Sequence, residues 1–171
     1  MLRKISLFCS IAVMIIIFLF SAQPAEESSE LSGEIVTAIL KIFVPNYDEL
    51  SVTEQEQIQE KLSVVVRKLA HFTEFAVLGF FVMMYLLTFI PNIKSFDFKL
   101  FIRMLGCWAF CTFYAVTDEI HQMFVTDRYS SIYDVIIDSS GVLFGIALVI
   151  LLFSFLSRRC CSKLQAVSYK L

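Results

Sequence analysis

The chain has 171 residues, of which 58% are hydrophobic, 15% aromatic and 18% charged, with a formal net charge of −2. That apolar share exceeds the roughly 45–50% of ordinary soluble domains, and five Gly with three Pro exclude a low-complexity chain. With a formal net charge of −2, no nucleic-acid partner is expected.

The apolar residues fall in blocks. Residues 5–22, 75–90, 104–117 and 141–157 form uncharged runs of 18, 16, 14 and 17 residues. A helix crossing the hydrocarbon core needs about 20 mostly apolar residues. The second and fourth runs reach that length only by including ionisable residues near Leu69 and Val135, and the third by taking in 100–103 and Asp118. The expected fold is an all-α polytopic membrane helical bundle, a single membrane domain over residues 1–171. Its spans are expected at about 5–22, 69–90, 100–118 and 135–156, with a tail at 158–171.

Arg3 and Lys4 before the first run, and SAQPA after it, resemble a secretory signal. Cleavage after Ala22 would place Phe20 at the −3 position, so a retained span is expected. Beyond it, Ile35, Val36, Ile39, Leu40 and Phe43 recur at helical spacing, and Pro45 ends that helix. Thr53 with Glu56 forms a capping-box pattern. Ile58, Leu62, Val65 and Leu69 then mark a stripe running into the second span. Residues at about 32–66 therefore predict a short extracytoplasmic helical hairpin lying at the outer interface. Its acidic faces lack the cationic pattern of an interfacial anchor.

Cations set the orientation. Arg3 and Lys4 precede the first span, Lys94, Lys99 and Arg103 lie between the second and third, and Arg158, Arg159, Lys163 and Lys170 follow the fourth. The segment 21–70 has four cations against nine acids, and 118–134 has Arg128 alone. Both termini are thus expected in the cytoplasm. Cys9, Cys107 and Cys111 lie in spans, and Cys160 and Cys161 on the inner side, so no disulfide framework is expected.

The spans carry charged stripes. Arg67, His71 and Glu74 stand at i, i+4 and i+7, which places them on one helix face. Tyr114, Asp118 and His121 repeat that spacing, as do Asp134, Asp138 and Gly141, with Gly145 a turn beyond. The topology sets these three helix ends at one membrane surface. Arg67, His71, Glu74, Asp118, Glu119, His121, Gln122, Arg128, Asp134 and Asp138 are therefore the candidate site. A charge at the bilayer centre costs from about 2.5 kcal/mol upward, so such groups face the bundle interior and pair. Gly141 and Gly145 form a small-xxx-small pair suited to close helix approach.

Three readings fit this constellation. Arginines suit phosphate or carboxylate recognition, and histidine beside carboxylates suits proton transfer, giving a head-group pocket or an acid–base pair. The alternative is a structural polar network that fixes the helices. His71, Glu74, Asp118 and His121 are also suitable ligands for a divalent metal, although neither helix has a paired motif such as HExxH. No cofactor is required by the residues present. Ser130, Ser131, Ser139 and Ser140 are only generic nucleophile candidates.

RKLAHFTEF, TDEIHQMFVTDR and DVIIDSSGVLFG closely resemble the signature blocks of the VanZ-like family, and FSAQPAEESSELSG is similar to its FSxQ…SxxLS segment. The resemblance runs from about Phe20 to Gly145. It implies a small multi-pass protein of the bacterial cell membrane, whose namesake is associated with low-level teicoplanin resistance, and it names no reaction. Arg67, Lys68, His71, Glu74, Asp118, Glu119, His121, Gln122, Arg128, Asp134 and Gly141 fall on motif positions. Thr126-Asp127 departs from a usual Pro-Gly before Arg128, and Asp138 replaces a common Asn. The expected function is binding or modification of a membrane lipid or lipid-linked envelope component, with glycopeptide resistance as one outcome. The alternative is a non-catalytic membrane scaffold or accessory subunit, and oligomerisation is open to either.

Overall fold

A computed structural model describes the backbone of residues 1–44, 47, 50–89, 98–128 and 130–168, and the side chains among these except residues 27, 31 and 157–168. Pro45, Lys94 and the tail side chains, including Cys160 and Cys161, lie outside what is described. Among the described residues five helices follow in order: α1 (Leu2–Ser21), α2 (Ala25–Phe43), α3 (Val52–Leu87), α4 (Phe98–Gln122) and α5 (Ile132–Ser168). No strand occurs among the described residues. The helices α1, α3, α4 and α5 (to Leu156) are each long and apolar enough to cross a membrane. Their outer faces expose Phe8, Ile11, Phe113, Leu143 and Leu151, a surface that suits lipid rather than water.

The central element is α3, which touches every other helix. Its closest partner is α5. Gly141 lies so near the Phe72 carbonyl, and Gly145 so near the Ala76 carbonyl, that a methyl group at either would overlap backbone. The reverse contact places a methyl added at Gly79 only 2.8 Å from the Val142 carbonyl oxygen. Pairing of 72 with 141 and 76 with 145 means that α3 and α5 run parallel. Phe75, Leu78, Met83, Cys107, Cys111, Val142 and Ile146 fill the core, and Ile17 of α1 is fully buried against them. Trp108 Nε1 donates to Ser139 Oγ at 2.8 Å, tying α4 to α5.

The two ends of the bundle differ. At one, Arg103 Nη1 donates to the Leu86 carbonyl at 2.8 Å, satisfying the C-terminal turn of α3, and the Arg3 guanidinium stands 4.1 Å over the Phe89 ring. At the other, α2 returns against the first half of α3 to form the cap. Val36, Leu40 and Tyr47 are buried there beside Ile58, Leu62 and Val66. Gln59 Nε2 donates to Thr37 Oγ1 at 3.1 Å. Ile35, Ile39 and Phe43 remain exposed, so only part of the predicted α2 stripe packs inward.

Two expectations about the cap need correction. The capping box is Ser51 with Glu54, not Thr53 with Glu56: Glu54 Oε2 accepts from Ser51 N at 3.1 Å and Ser51 Oγ accepts from Glu54 N at 3.4 Å. Starting at Ser51 leaves Gln55 free to donate to the carbonyls of Tyr47 and Leu50, which pins the chain reversal. The hairpin also begins earlier, at Ala25 rather than near residue 32, while its second arm runs into the second span as the apolar stripe predicts. A 36-residue helix is about 54 Å long, more than the roughly 30 Å of a bilayer's hydrocarbon core, so the first turns of α3 extend past the span into the cap. Val44 is extended, as the residue before a proline prefers, and α2 ends at Phe43.

Replacing Gly141 or Gly145 by Ala is expected to lower stability in detergent by about 1–3 kcal/mol, because backbone must move. Gly106→Ala, where nothing lies within 4 Å, is expected to be neutral or stabilising. Unfolding followed by helical circular dichroism checks the contrast.

Candidate functional site

The parallel packing of α3 and α5 brings their N-terminal membrane turns side by side at the cap end. A cavity of about 200 Å³ opens there. Arg67, Lys68 and His71 line it from α3, Gln122 from α4, Asp127 and Arg128 from the α4–α5 connection, and Asp134 and Asp138 from α5, with Ala25 and Ile137 completing the wall. Six of the ten candidate residues therefore meet in one cavity.

Within it, Lys68 Nζ stands 3.3 Å from Asp134 Oδ1. One turn further along both helices, His71 Nδ1 and Asp138 Oδ1 are 4.0 Å apart, too far for a direct hydrogen bond. Asp138 is fully buried, and neither of its carboxylate oxygens has a hydrogen-bond partner; His71 Nδ1 has none either. Arg128 Nη2 donates to the Phe20 carbonyl at 3.3 Å, in the last turn of α1, where unsatisfied carbonyls and the helix dipole favour a cation. Burial and the like charge of Arg67 push Arg128 below its ordinary pKa, opposed by Asp118, Glu119 and Glu74. An arginine remains charged under such a shift. Among the described residues neither Arg67 nor Arg128 forms an ion pair with a carboxylate.

Arg128 is aimed by a turn that departs from the expected Pro-Gly. Asp127 takes φ 57°, the left-handed conformation that glycine adopts most readily and Asp tolerates. The backbone thus has the shape a glycine would favour, and the substitution adds a carboxylate to the cavity wall.

The other four candidates point elsewhere. The α4 stripe faces α1: Tyr114 Oη donates to the Met14 carbonyl at 2.7 Å, and the His121 ring stacks on Phe18 with centroids 4.6 Å apart. Buried Asp118 Oδ2 accepts from Ser21 Oγ at 2.7 Å and from Gln122 Nε2 at 3.0 Å, so it stands behind the cavity wall and orients Gln122. Glu119, also buried, accepts from the Ser131 amide at 2.9 Å, at the start of α5. Glu74 lines a separate open groove of about 500 Å³ between α1 and α3, with Val13, Ile16, Ile17, Leu69 and Val77 as apolar walls.

His71, Glu74, Asp118 and His121 consequently do not converge, and among the described residues no group of three or more His, Cys, Asp or Glu side chains is placed to share a metal. Of the serines, Ser139 is engaged by Trp108 and Thr112, and Ser140 Oγ donates to the Ile137 carbonyl. Ser21 is the polar residue that stripe spacing overlooks. Its position in the FSAQ segment is the signal that could have found it.

Four apolar spanning helices around buried polar groups define a multi-pass α-helical membrane protein. The chain belongs to the VanZ/LLP1 family, whose model matches residues 6–154, in agreement with the resemblance of its motif blocks. No curated protein and no solved structure matches the chain.

Ser21→Ala removes a donor from buried Asp118 and is expected to destabilise by about 1–3 kcal/mol, with a non-additive cycle against Asp118→Asn in thermal unfolding. Asp127→Val should cost about 1–2 kcal/mol through its left-handed backbone, whereas Asp127→Gly should be neutral or stabilising in the same assay.

Proposed function

We propose that this protein binds the anionic head group of an envelope lipid or lipid-linked cell-wall component in the cavity at its cap end. The observation that carries this reading is that Arg67 and Arg128 enter one cavity without a carboxylate pairing either among the described residues. Guanidinium groups suit a phosphate or carboxylate because they offer paired, fixed donors. A lipid source is favoured by the apolar groove between α1 and α3. It shares α3 with the cavity: Val66 and Ala70 line the groove, and Arg67 and His71 the cavity. His71 and Asp138 would orient the bound group or exchange protons with it, which is where a modifying reaction would act.

The cap end is the outer end in this reading, because Arg3 and Arg103 gather at the other and cations favour the cytoplasm. Both termini are then cytoplasmic in a bacterial cell membrane, and a changed response to a lipophilic glycopeptide such as teicoplanin is one cellular outcome. A second reading, a non-catalytic scaffold, is favoured by the α1–α4 seam. Tyr114, Asp118 and His121 there have structural partners rather than a cavity.

Arg67→Gln and Arg128→Gln are each expected to lower retention of phosphatidylglycerol by purified protein about tenfold, with the melting temperature unchanged for Arg67→Gln. Lipid co-purification and thermal unfolding on the same samples check this. Loss of stability in step with loss of lipid would favour the scaffold.

A further inference from the structure

We infer that the cavity takes a zwitterionic group, a phosphate ester bearing a primary ammonium, with the phosphate on Arg67 and Arg128 and the ammonium against Asp138 and His71. This rests on the anion-binding reading above and adds the ligand's second pole. Four acceptor atoms of this cavity are left without hydrogen bonds: Asp134 Oδ1, which has the Lys68 ammonium 3.3 Å away, and Asp138 Oδ1, Asp138 Oδ2 and His71 Nδ1, which have no cation; His71 Nδ1 accepts when the ring proton is on Nε2. A buried carboxylate without donors is costly unless a partner completes it. Of the cavity cations, Lys68 stands against Asp134 at 3.3 Å, and among the described residues neither Arg67 nor Arg128 pairs with Asp138.

A primary ammonium supplies what this wall lacks, a positive charge with three N–H donors. A hydroxyl offers one donor and no charge, and a quaternary ammonium offers charge without a donor. The two poles are also separated. Asp138 and His71 lie four residues beyond Asp134 and Arg67, which is about 6 Å along each helix. That is of the order of the two-carbon link between phosphate and amine in an ethanolamine phosphate.

The test uses full-length protein in mixed micelles with equimolar phosphatidylethanolamine, phosphatidylglycerol and phosphatidylcholine, retained lipid being quantified by mass spectrometry. Wild type should enrich phosphatidylethanolamine. Asp138→Asn should lower that preference about tenfold or more, to parity with phosphatidylcholine. His71→Gln, a second variant should Asp138→Asn not fold, should lower it in the same direction. Wild type without a preference, or Asp138→Asn retaining it, overturns the ammonium subsite. If in that case Arg67→Gln and Arg128→Gln still lower all three lipids, the phosphate reading stands alone; if they lower none, that reading fails as well. Soluble phosphoethanolamine displacing the lipid where phosphocholine does not would support the same subsite with a free phosphate as its source. No displacement, with the lipid preference intact, would assign it to a head group.

Discussion

The contact on which the rest depends is backbone against backbone between α3 and α5. Gly141 and Gly145 admit the carbonyls of Phe72 and Ala76, and Gly79 admits that of Val142. Side chains do not separate the two helices there, so their relative register is fixed by main-chain shape. Because they run parallel, their charged entry turns arrive at the same level. Lys68 then faces Asp134, and His71 faces Asp138. The polar cavity is a geometric result of that register, and the apolar core below it is the layer that α4 and α1 complete.

A second division follows from α1. Its last turns take up the polar face of α4 through Met14, Phe18 and Ser21, and its Phe20 carbonyl holds Arg128. One helix therefore both closes the side of the bundle and positions a cavity cation. Asp118 links the two tasks, since its carboxylate binds Ser21 on the α1 side and Gln122 on the cavity side. Charged residues that look alike in sequence thus divide into those that join helices and those that line a space.

Much of the architecture was legible because it rests on length and composition. Four apolar runs gave four spanning helices, and the Gly141–Gly145 pair marked the close approach. What spacing could not supply was azimuth. Positions i, i+4 and i+7 guarantee a shared face, but α4 has three neighbours, and its Tyr114–Asp118–His121 face meets α1 rather than the cavity. The same limit separates His71, Glu74, Asp118 and His121, which are not grouped to share a metal among the described residues. The cap start was ambiguous for a different reason: Ser51-x-x-Glu54 and Thr53-x-x-Glu56 overlap, and the reciprocal Ser51–Glu54 bonds, supported by those of Gln55 to Tyr47 and Leu50, decide between them. Ser21 is neutral and small, so no count of charges finds it.

The uninterrupted course of α3 has a mechanical consequence. Its 36 residues carry the cap hairpin at one end and the cavity residues Arg67, Lys68 and His71 near the middle, with no break between them. Such a rod transmits torque. A rotation or tilt imposed on the cap, by an engaged surface or by bilayer thickness, turns the cavity wall through the same angle. Because the glycine contacts with α5 resist that turn just below the cavity, they act as its fulcrum, and the turn displaces Arg67, Lys68 and His71 relative to Asp134 and Asp138 on α5.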